Sequence, residues 1–228
     1  MNRPETTLFM LTSVDGKIST GDTDVMDFDR DLKTITGVKE GLHQYYELEQ
    51  QTDLVSLNSG RVMAKIGVND REDEPKKMPV SFVIIDNEPN LTASGVLYLS
   101  KWVTKLILVT TNKLHPALFA DLEDVAVFEY VDSIDFHHLF ERLRLDHGVE
   151  RITVQSGGSL NAQLLRDGLI DHLSLVIAPL LVGGRSTPTL VDGESLHSLE
   201  DLRTLKTLEL VKCDVLENNY LHLQYDVR

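Results

Sequence analysis

The sequence predicts an α/β fold with a mostly parallel central sheet, and three features indicate it. Short and almost entirely apolar runs, typical of strands buried on both faces, alternate with segments of helical spacing. Small, polar or glycine-bearing loops follow these runs, at the sheet edge where ligands of such folds bind. The last segments, residues 205–216 and 221–227, alternate in polarity around Asn218-Asn219, which predicts an antiparallel hairpin added to the sheet.

The predicted elements follow one another in a regular order. The first strand is the apolar run at residues 8–11, which ends before the turn Val14-Asp15-Gly16. Apolar residues at helical spacing predict one helix over residues 29–50, and a polar loop is expected over residues 58–79. Similar apolar runs predict further strands at residues 53–57, 80–85, 106–109, 125–128, 152–154 and 173–178. The other predicted helices lie near Leu118, at residues 136–145 and at residues 160–166. Because no linker or repeat divides the chain, we expect a single domain over residues 1–228.

The composition excludes several classes of protein. A net charge of −14 disfavours nucleic acid and anionic membranes as partners, since both require a positive surface. No apolar run reaches the roughly 18 residues of a membrane helix, and the first residues show no signal-peptide pattern, so we expect a cytoplasmic protein. The single cysteine, Cys213, excludes an internal disulfide and lies in an apolar run, where we expect a small core residue. The histidines are scattered, so we expect no metal site.

Two adjacent glycines, Gly157 and Gly158, stand between a β-branched run and a segment of helical spacing. One interpretation is a tight strand-to-helix turn, for which one glycine with positive φ suffices. The other is a phosphate cradle, in which a missing Cβ lets an anion approach the amides at a helix N-terminus. An acidic chain that binds phosphate must gather cations at the site. Four cations lie in glycine-containing or polar loops, and each is also explained as ordinary surface charge: Lys17, Arg61, Arg71 and Arg185.

Three stretches of the chain carry a family pattern. They are Ser13-Val14-Asp15-Gly16-Lys17-Ile18; Gln155-Ser156-Gly157-Gly158-Ser159-Leu160-Asn161, followed by Gly168-Leu169-Ile170-Asp171-His172-Leu173; and Ile177-Ala178-Pro179-Leu180-Leu181-Val182-Gly183-Gly184. The first resembles the S-[LV]-D-G-[KR] opening of the reductase domain of the riboflavin-biosynthesis deaminase–reductase, and the others are similar to that domain's second half. The resemblance extends over essentially the whole chain. It implies a dihydrofolate-reductase-like fold, a dimer, and a reduced nicotinamide cofactor, usually NADPH.

The resemblance also implies where the cofactor and substrate bind. The pyrophosphate would lie on residues 157–163 at the helix N-terminus, with these contacts: Gly157, Gly158, Ser159, Leu160 and Asn161. Thr12 would lie at the nicotinamide end and Asn87 beside the adenosine half. Gly60-Arg61 resembles a turn near the 2′-phosphate, and Arg71 aligns with a substrate-binding arginine.

Three positions depart from the family pattern on the substrate side. Gln155 stands where the family has a substrate-contacting glutamate, and Phe9 or a near neighbour replaces a basic residue of the first strand. A substrate arginine late in the first helix has no counterpart around Leu48. We therefore expect weak or absent activity on the ribosylamino-pyrimidine of the riboflavin pathway, and we do not expect Gln155→Glu alone to restore it.

The function that the resemblance implies is hydride transfer from NADPH to a small heterocyclic or sugar-derived substrate, in the family's case 5-amino-6-(5-phosphoribosylamino)uracil. The cofactor carries such chemistry, while the protein positions it and manages a proton. Asp15 and Gln155 are the candidate catalytic residues, although an Asx-turn bond explains Asp15 equally. The alternatives are a reductase with a pteridine or carbonyl substrate and a non-catalytic NADP-binding relative.

Three further expectations follow. Arg61, a cation beside Gly60, predicts a preference for NADPH over NADH. We expect Gly158→Val to abolish cofactor binding while leaving the protein folded, because the branched side chain would fill the volume of the pyrophosphate. The resemblance and the apolar run at residues 173–177, which could pack on a partner's edge, predict a homodimer.

Overall fold

Residues 2–228, the part of the chain that the computed structural model describes, form nine strands and six α-helices. The strands are β1 (Glu5–Ser13), β2 (Val55–Ser59), β3 (Ser81–Ile85), β4 (Lys105–Thr110), β5 (Val125–Glu129), β6 (Arg151–Val154), β7 (His172–Ala178), β8 (Leu208–Val215) and β9 (Leu221–Val227). The α-helices are α1 (Phe28–Asp31), α2 (His43–Glu49), α3 (Gly60–Lys65), α4 (Ala93–Trp102), α5 (Phe136–His147) and α6 (Gly158–Arg166). Short 3-10 helices lie at Leu32–Thr34, Val68–Asp70, Pro116–Phe119, Glu200–Thr204 and Glu217–Asn219.

The described chain divides into two compact units. The first comprises residues 2–4 and Asp53–Ser156, and the second comprises Glu5–Thr52 and Gly157–Arg228. The expectation of a single domain over residues 1–228 stays a prediction.

The first unit contains five strands, all parallel, in the order β5-β4-β3-β2-β6. Their apolar residues are buried together with the inner face of α4, as in Ile84, Leu106 and Leu99. Helix α4 begins where Thr92 accepts a hydrogen bond from the Gly95 amide, an N-cap that satisfies one of the free donors of the first turn. The parallel arrangement follows from runs that are apolar on both faces.

The second unit has a mixed sheet in the order β1-β7-β9-β8. Strands β1 and β7 are parallel, whereas β7–β9 and β9–β8 are antiparallel. One face of this sheet packs against α1, α2 and the segment between them, where Phe9 stacks on Tyr45 with ring centroids 5.3 Å apart. The α/β class, the mostly parallel pairing and the C-terminal antiparallel hairpin agree with the sequence prediction.

Two predictions of secondary structure are wrong, and one helix was not predicted. The helix expected over residues 29–50 is broken into α1, a 3-10 turn and α2, with Gly37 at a left-handed φ of 90° between them. The polar loop expected over residues 58–79 contains α3, which Ser59 caps by accepting from the Val62 amide. Helix α4 was not expected, because its mixed sequence carries little periodic signal.

Two side chains also lie in unexpected surroundings. Cys213, expected in the core, is exposed on β8, whose pairing in the second unit is with β9 alone. Lys17, expected in a polar loop, is only 8% exposed. Within residues 2–228, no helix combines the length and the apolar character that crossing a membrane requires.

Candidate functional site

In the second unit, the turn after β1 is bonded to the loop after β7. The Asp15 carboxylate accepts hydrogen bonds from the Ser13 hydroxyl at 2.6 Å, the Val182 amide at 3.1 Å and the Gly183 amide at 2.6 Å. The Ser13 bond, followed by that of Val182, lowers the pKa of Asp15 to about 2. The carboxylate is therefore ionised at neutral pH, and its hydrogen bonds anchor the loop. Its role in polarising a substrate stays a prediction.

Lys17 is hydrogen-bonded to the same loop. Its ammonium donates to the Gly184 carbonyl and the Thr187 carbonyl, both at 2.8 Å. Further along, the Ile18 amide donates to the Pro188 carbonyl. A buried cation is retained only where hydrogen bonds offset its desolvation. Lys17 therefore has a structural role, because its ammonium is hydrogen-bonded to two backbone carbonyl oxygens of the loop.

The segment that these contacts hold, residues 180–192, also reaches the N-terminus of α6. The Asp192 amide donates to the Gly158 carbonyl at 3.0 Å, and the Asn161 side-chain amide donates to the Leu190 carbonyl at 2.9 Å. We call residues 180–192 the strap. The strap connects the β1 turn to the start of α6 by hydrogen bonds at both ends.

The two glycines at the start of α6 have different surroundings. A Cβ at Gly158 would collide with the Thr189 carbonyl oxygen and would lie 2.7 Å from the Asp192 Cγ. A Cβ at Gly157, by contrast, would meet nothing within 4 Å. Gly158 thus allows the strap to approach the helix, whereas Gly157 faces open space. The expectation that Gly158→Val leaves the protein folded stays a prediction, and this packing argues against it.

The other predicted residues of the cofactor cradle differ in exposure. Ser159 is exposed and Leu160 is half-buried in the first turn of α6, whereas Asn161 is fully buried and its side chain holds the strap. Thr12 is buried near the end of β1, with 3% of its surface exposed. Gly157 is the N-cap of α6 and makes no side-chain hydrogen bond. In the first turn that follows, Ser159 is exposed to solvent.

In the first unit, Gly60 begins α3 directly after β2. A Cβ at Gly60 would lie 2.7 Å from the Asp86 Cβ, so only glycine fits against this side chain. The next residue, Arg61, is exposed in the first turn of α3 and has interaction partners in the structure. Asn87 accepts from the Thr111 amide at 3.0 Å and so connects the ends of β3 and β4. Gly60, Asp86 and Asn87 therefore lie at the carboxyl ends of neighbouring parallel strands.

A fully buried Asp–His pair supports this edge, and sequence reasoning missed it. His115 Nε2 donates to the Asp86 carboxylate at 3.0 Å, while its Nδ1 accepts from the Ala117 amide at 3.1 Å. Asp86 also accepts from the side chain and the backbone amide of Asn90 and from the Leu91 amide. Asp86 was visible in the sequence only as the end of an apolar run, and nothing local indicates its partner 29 residues away.

Gln155 follows β6 and joins a chain of directed hydrogen bonds. Asn58 donates from its side-chain amide to the Ser56 hydroxyl at 2.8 Å, and that hydroxyl donates to Gln155 Oε1 at 3.2 Å. The Gln155 backbone amide donates to the Leu57 carbonyl at 2.9 Å. The side chain is thus held at the carboxyl end of β6 and beside β2, among buried polar groups of the first unit.

Arg71, predicted to bind substrate, is engaged with α4. Its guanidinium lies 5.4 Å from the Tyr98 ring centroid and 5.2 Å from that of Trp102, and it donates to the Tyr98 hydroxyl at 3.3 Å. It also donates to the Ile66 carbonyl at 3.2 Å. Binding of substrate by Arg71 stays a prediction, and these contacts compete with it.

The residues around these positions contain no metal centre within the part of the chain that is described. No group of three or more histidine, cysteine, aspartate or glutamate side chains among residues 2–228 has the arrangement of a metal site.

A family comparison settles which proteins the chain is related to. The sequence model of the RibD C-terminal domain matches residues 4–221. The chain belongs to the RibD C-terminal domain family. The predicted family membership is thereby confirmed.

Two curated proteins are similar to the chain over most of both lengths. Both are 2,5-diamino-6-ribosylamino-4(3H)-pyrimidinone 5′-phosphate reductases. The protein of Methanothermobacter thermautotrophicus is 31% identical over 199 residues, which is 85% of this chain and 86% of that protein. The protein of Archaeoglobus fulgidus is 26% identical over 207 residues, covering 85% and 88%. The prediction of an oxidoreductase agrees with the reductase names in this family.

Solved structures of RibD-type proteins share the fold. Acinetobacter baumannii RibD aligns with a TM-score of 0.68 at 14% identity, covering all of this chain and 59% of the RibD chain. The riboflavin biosynthesis reductase Rib7 of Saccharomyces cerevisiae aligns with a TM-score of 0.62 at 18% identity, covering 100% and 91%. The predicted dihydrofolate-reductase-like fold is confirmed, and the chain spans about three fifths of the bifunctional RibD length.

Proposed function

We propose that this protein is an NADPH-dependent reductase of a phosphorylated ribosylaminopyrimidine, the substrate class in the names of its archaeal relatives. The observation that carries the proposal is the 31% identity to the Methanothermobacter reductase over 85% of this chain. The match to the RibD C-terminal domain over residues 4–221 also supports it.

The residues at the start of α6 fit a dinucleotide. Gly157 leaves open space beside the helix N-terminus, where backbone amides and the helix dipole favour an anion. Gly158 lets the strap lie against the helix, so the amides of the first turn are held in place. When bound, the reduced nicotinamide supplies the hydride that reduces the substrate. We propose Gly157, Gly158, Ser159 and Leu160 as the pyrophosphate contacts, with Asn161 acting through the strap.

We further propose that Arg61 contacts the 2′-phosphate and makes NADPH the preferred cofactor. Arg61 is an exposed cation in the first turn of α3, and Asn87 lies at the neighbouring strand end in the same unit. A charge-assisted contact to phosphate contributes about 1.5–3 kcal/mol, or roughly 10- to 100-fold in affinity. Thr12 is proposed at the nicotinamide end.

On the substrate side, we propose that Gln155 contacts the substrate and that Ser56 orients its amide. Phe9 is a core residue and Leu48 packs against the same core, so we propose neither as a substrate contact. The names of the relatives nevertheless favour turnover of a ribosylaminopyrimidine phosphate, against the weak or absent activity that the departures from the family pattern predicted. An assay with that substrate decides between the two.

We also propose a cytoplasmic homodimer. Strand β7 is paired along both edges, so a partner would contact its face and not its edge. On that face Leu175 and Ile177 are half-buried and lie opposite Leu223 and Leu221 of β9, which are also half-buried. This apolar face supports the proposal, and light scattering at micromolar concentration tests it: a monomer would refute it.

Turnover and binding together test the function. We expect the purified protein to oxidise NADPH with 2,5-diamino-6-ribosylamino-4(3H)-pyrimidinone 5′-phosphate, and to bind NADPH about 10- to 100-fold more tightly than NADH. Arg61→Ala should remove that preference, whereas Arg203→Ala, which changes an exposed arginine of the 3-10 helix Glu200–Thr204, should retain it. NADPH binding without oxidation would favour the non-catalytic relative, and equal affinities for the two cofactors would contradict the role of Arg61.

A further inference from the structure

The four loop cations that the sequence singles out differ in what they contact. Lys17 is committed to two carbonyls, Arg71 lies on Tyr98 and Trp102, and Arg61 has partners. Arg185 is exposed, and its guanidinium makes no hydrogen bond, ion pair or ring contact with any of residues 2–228. Of these four, only Arg185 has its full set of donors available to a ligand.

Although Arg185 is exposed, the backbone on either side of it is held. Before it, the Val182 and Gly183 amides donate to Asp15, and after it the Thr187 carbonyl accepts from Lys17. Gly183 and Gly184 adopt left-handed φ values of 73° and 82°, which turn the chain sharply within this stretch. Holding a backbone in place before binding reduces the entropy that a ligand contact must overcome. The base of the Arg185 side chain is therefore preorganised.

The position of this loop in the sheet is the one at which ligands bind. Strands β1 and β7 are parallel, with Ser13 opposite Ala178 at their carboxyl ends. The β1 turn and the loop that carries Arg185 both leave from those ends, where ligands of α/β sheets collect. Residues 13–18 and 182–187 together carry one carboxylate and two cations, a local charge of −1 + 2 = +1 in a chain of net charge −14. Because the Lys17 ammonium is committed to carbonyl oxygens, Arg185 is the cation of these two stretches that is available to an anion.

We propose that Arg185 binds the phosphate monoester of the substrate and so selects the phosphorylated sugar over the free one. This inference rests on the proposed function for the identity of the substrate. The planar guanidinium makes paired, charge-assisted hydrogen bonds to phosphate oxygens, which lysine does not reproduce. Asp15 and Lys17 are positioning residues in this arrangement, since they act by holding the backbone on both sides of Arg185.

The same chemistry would suit the 2′-phosphate of NADPH, so the source of the phosphate has to be distinguished. We assign the substrate because Arg61, an exposed cation on α3, is proposed for the cofactor. A contact to the substrate phosphate is made equally before and during hydride transfer, since the phosphate does not react. Its loss should therefore raise KM and leave kcat nearly unchanged.

The test compares Arg185→Gln, Arg185→Lys and the control Arg203→Gln, which removes one positive charge from another exposed site of the second unit. At saturating NADPH, we expect Arg185→Gln to raise KM for the phosphorylated substrate about 10- to 100-fold. The dephosphorylated analogue should show the same KM with every variant. The KM of Arg185→Lys should lie between those of Arg185→Gln and the unaltered protein, and the KM of Arg203→Gln should equal that of the unaltered protein. Calorimetric binding of ribose 5-phosphate, with ribose as the blank, should weaken in parallel.

Each outcome separates this inference from the proposed function. An unchanged KM in Arg185→Gln, or an equal loss on both substrates, overturns the role of Arg185 and leaves the reductase assignment standing. A loss of affinity for NADPH but not for NADH also overturns it, because Arg185 would then contact the 2′-phosphate. If the unaltered protein fails to turn over the substrate, the proposed function fails. Ribose 5-phosphate binding that depends on Arg185 would still support the inference, and no such binding would overturn it.

Discussion

Adding one methyl group at either of the adjacent glycines, Gly157 and Gly158, is expected to have opposite consequences. At Gly158 the methyl carbon would collide with the Thr189 carbonyl oxygen and lie 2.7 Å from the Asp192 Cγ. The carbonyl belongs to the backbone of the strap, which is hydrogen-bonded to the β1 turn and cannot move aside cheaply. Overpacking of this kind costs about 1–3 kcal/mol. In a chain of this length that lowers Tm by about 2–12 °C.

At Gly157 the same methyl group meets no atom within 4 Å, and its φ of −74° is open to any residue. Folding stability should therefore stay unchanged or rise by about 0.4–1 kcal/mol, because alanine has fewer unfolded conformations than glycine. The methyl group would, however, occupy the space in which we propose the pyrophosphate lies. Losing one charge-assisted contact there should weaken NADPH binding about 10-fold or more.

Two measurements on Gly157→Ala and Gly158→Ala test these expectations: thermal unfolding for stability and NADPH fluorescence titration for affinity. Each variant serves as the control for the other. We expect Gly157→Ala to keep its Tm and lose affinity, and Gly158→Ala to lose Tm. A Gly158→Ala protein with the Tm of the unaltered chain would refute the packing argument. Unchanged NADPH affinity in a stable Gly157→Ala protein would refute the cradle and leave Gly157 as a turn residue only.

Three other predictions follow from hydrogen bonds and burial. Burial lowers the pKa of His172, but its hydrogen bonds to Glu5 and Asp226 outweigh this effect, so the pKa is raised. These bonds therefore stabilise the fold at pH values below the unfolded pKa of about 6.5, and this stability is lost as the pH rises through the folded pKa. His172→Gln should therefore be more destabilising at pH 6 than at pH 9 in urea unfolding, and an equal effect at both would contradict this. The pKa of Asp15 is lowered to about 2, so its stabilisation is present above the unfolded pKa of about 3.8 and is lost as the pH falls through about 2. Asp15→Asn should lower the Tm at pH 7 and converge with the unaltered protein near pH 2, whereas a constant gap would show that the charge is irrelevant. Gln155→Glu alone should not raise turnover of the ribosylaminopyrimidine, because Phe9 stays in the core. A restored charge-assisted contact would contribute about 2–4 kcal/mol, or roughly a hundredfold in rate, and a gain of that size would contradict this prediction.

Local pattern was sufficient to place most strands and the family motifs. Apolar runs such as Ile152-Thr153-Val154 predict buried parallel strands because both faces of such a strand are covered, and β6 lies there. The residues of the Gly157–Gly158 turn and of the β1 turn were identified because turns depend on residues that are neighbours in sequence. The C-terminal hairpin was predicted for the same reason, since its two strands alternate around a short turn.

Contacts between distant residues decided the rest. Asp15 was visible as a strand-end carboxylate, but its anchoring role depends on amides 167 and 168 residues away. Gly60 resembled a turn glycine, whereas its lack of a Cβ is required by the Asp86 side chain. Cys213 lies in an apolar run of the sequence and is nevertheless exposed. Its burial depends on whether another strand or helix covers β8, and the sequence of β8 itself does not decide that. The sequence by itself determined the family, the strand positions and the glycine pair. Only the tertiary structure decided which of the four loop cations are bonded to other residues and that Arg185 has its donors available. The reason is that hydrogen-bond partners are set by the packing of segments that lie far apart in the chain.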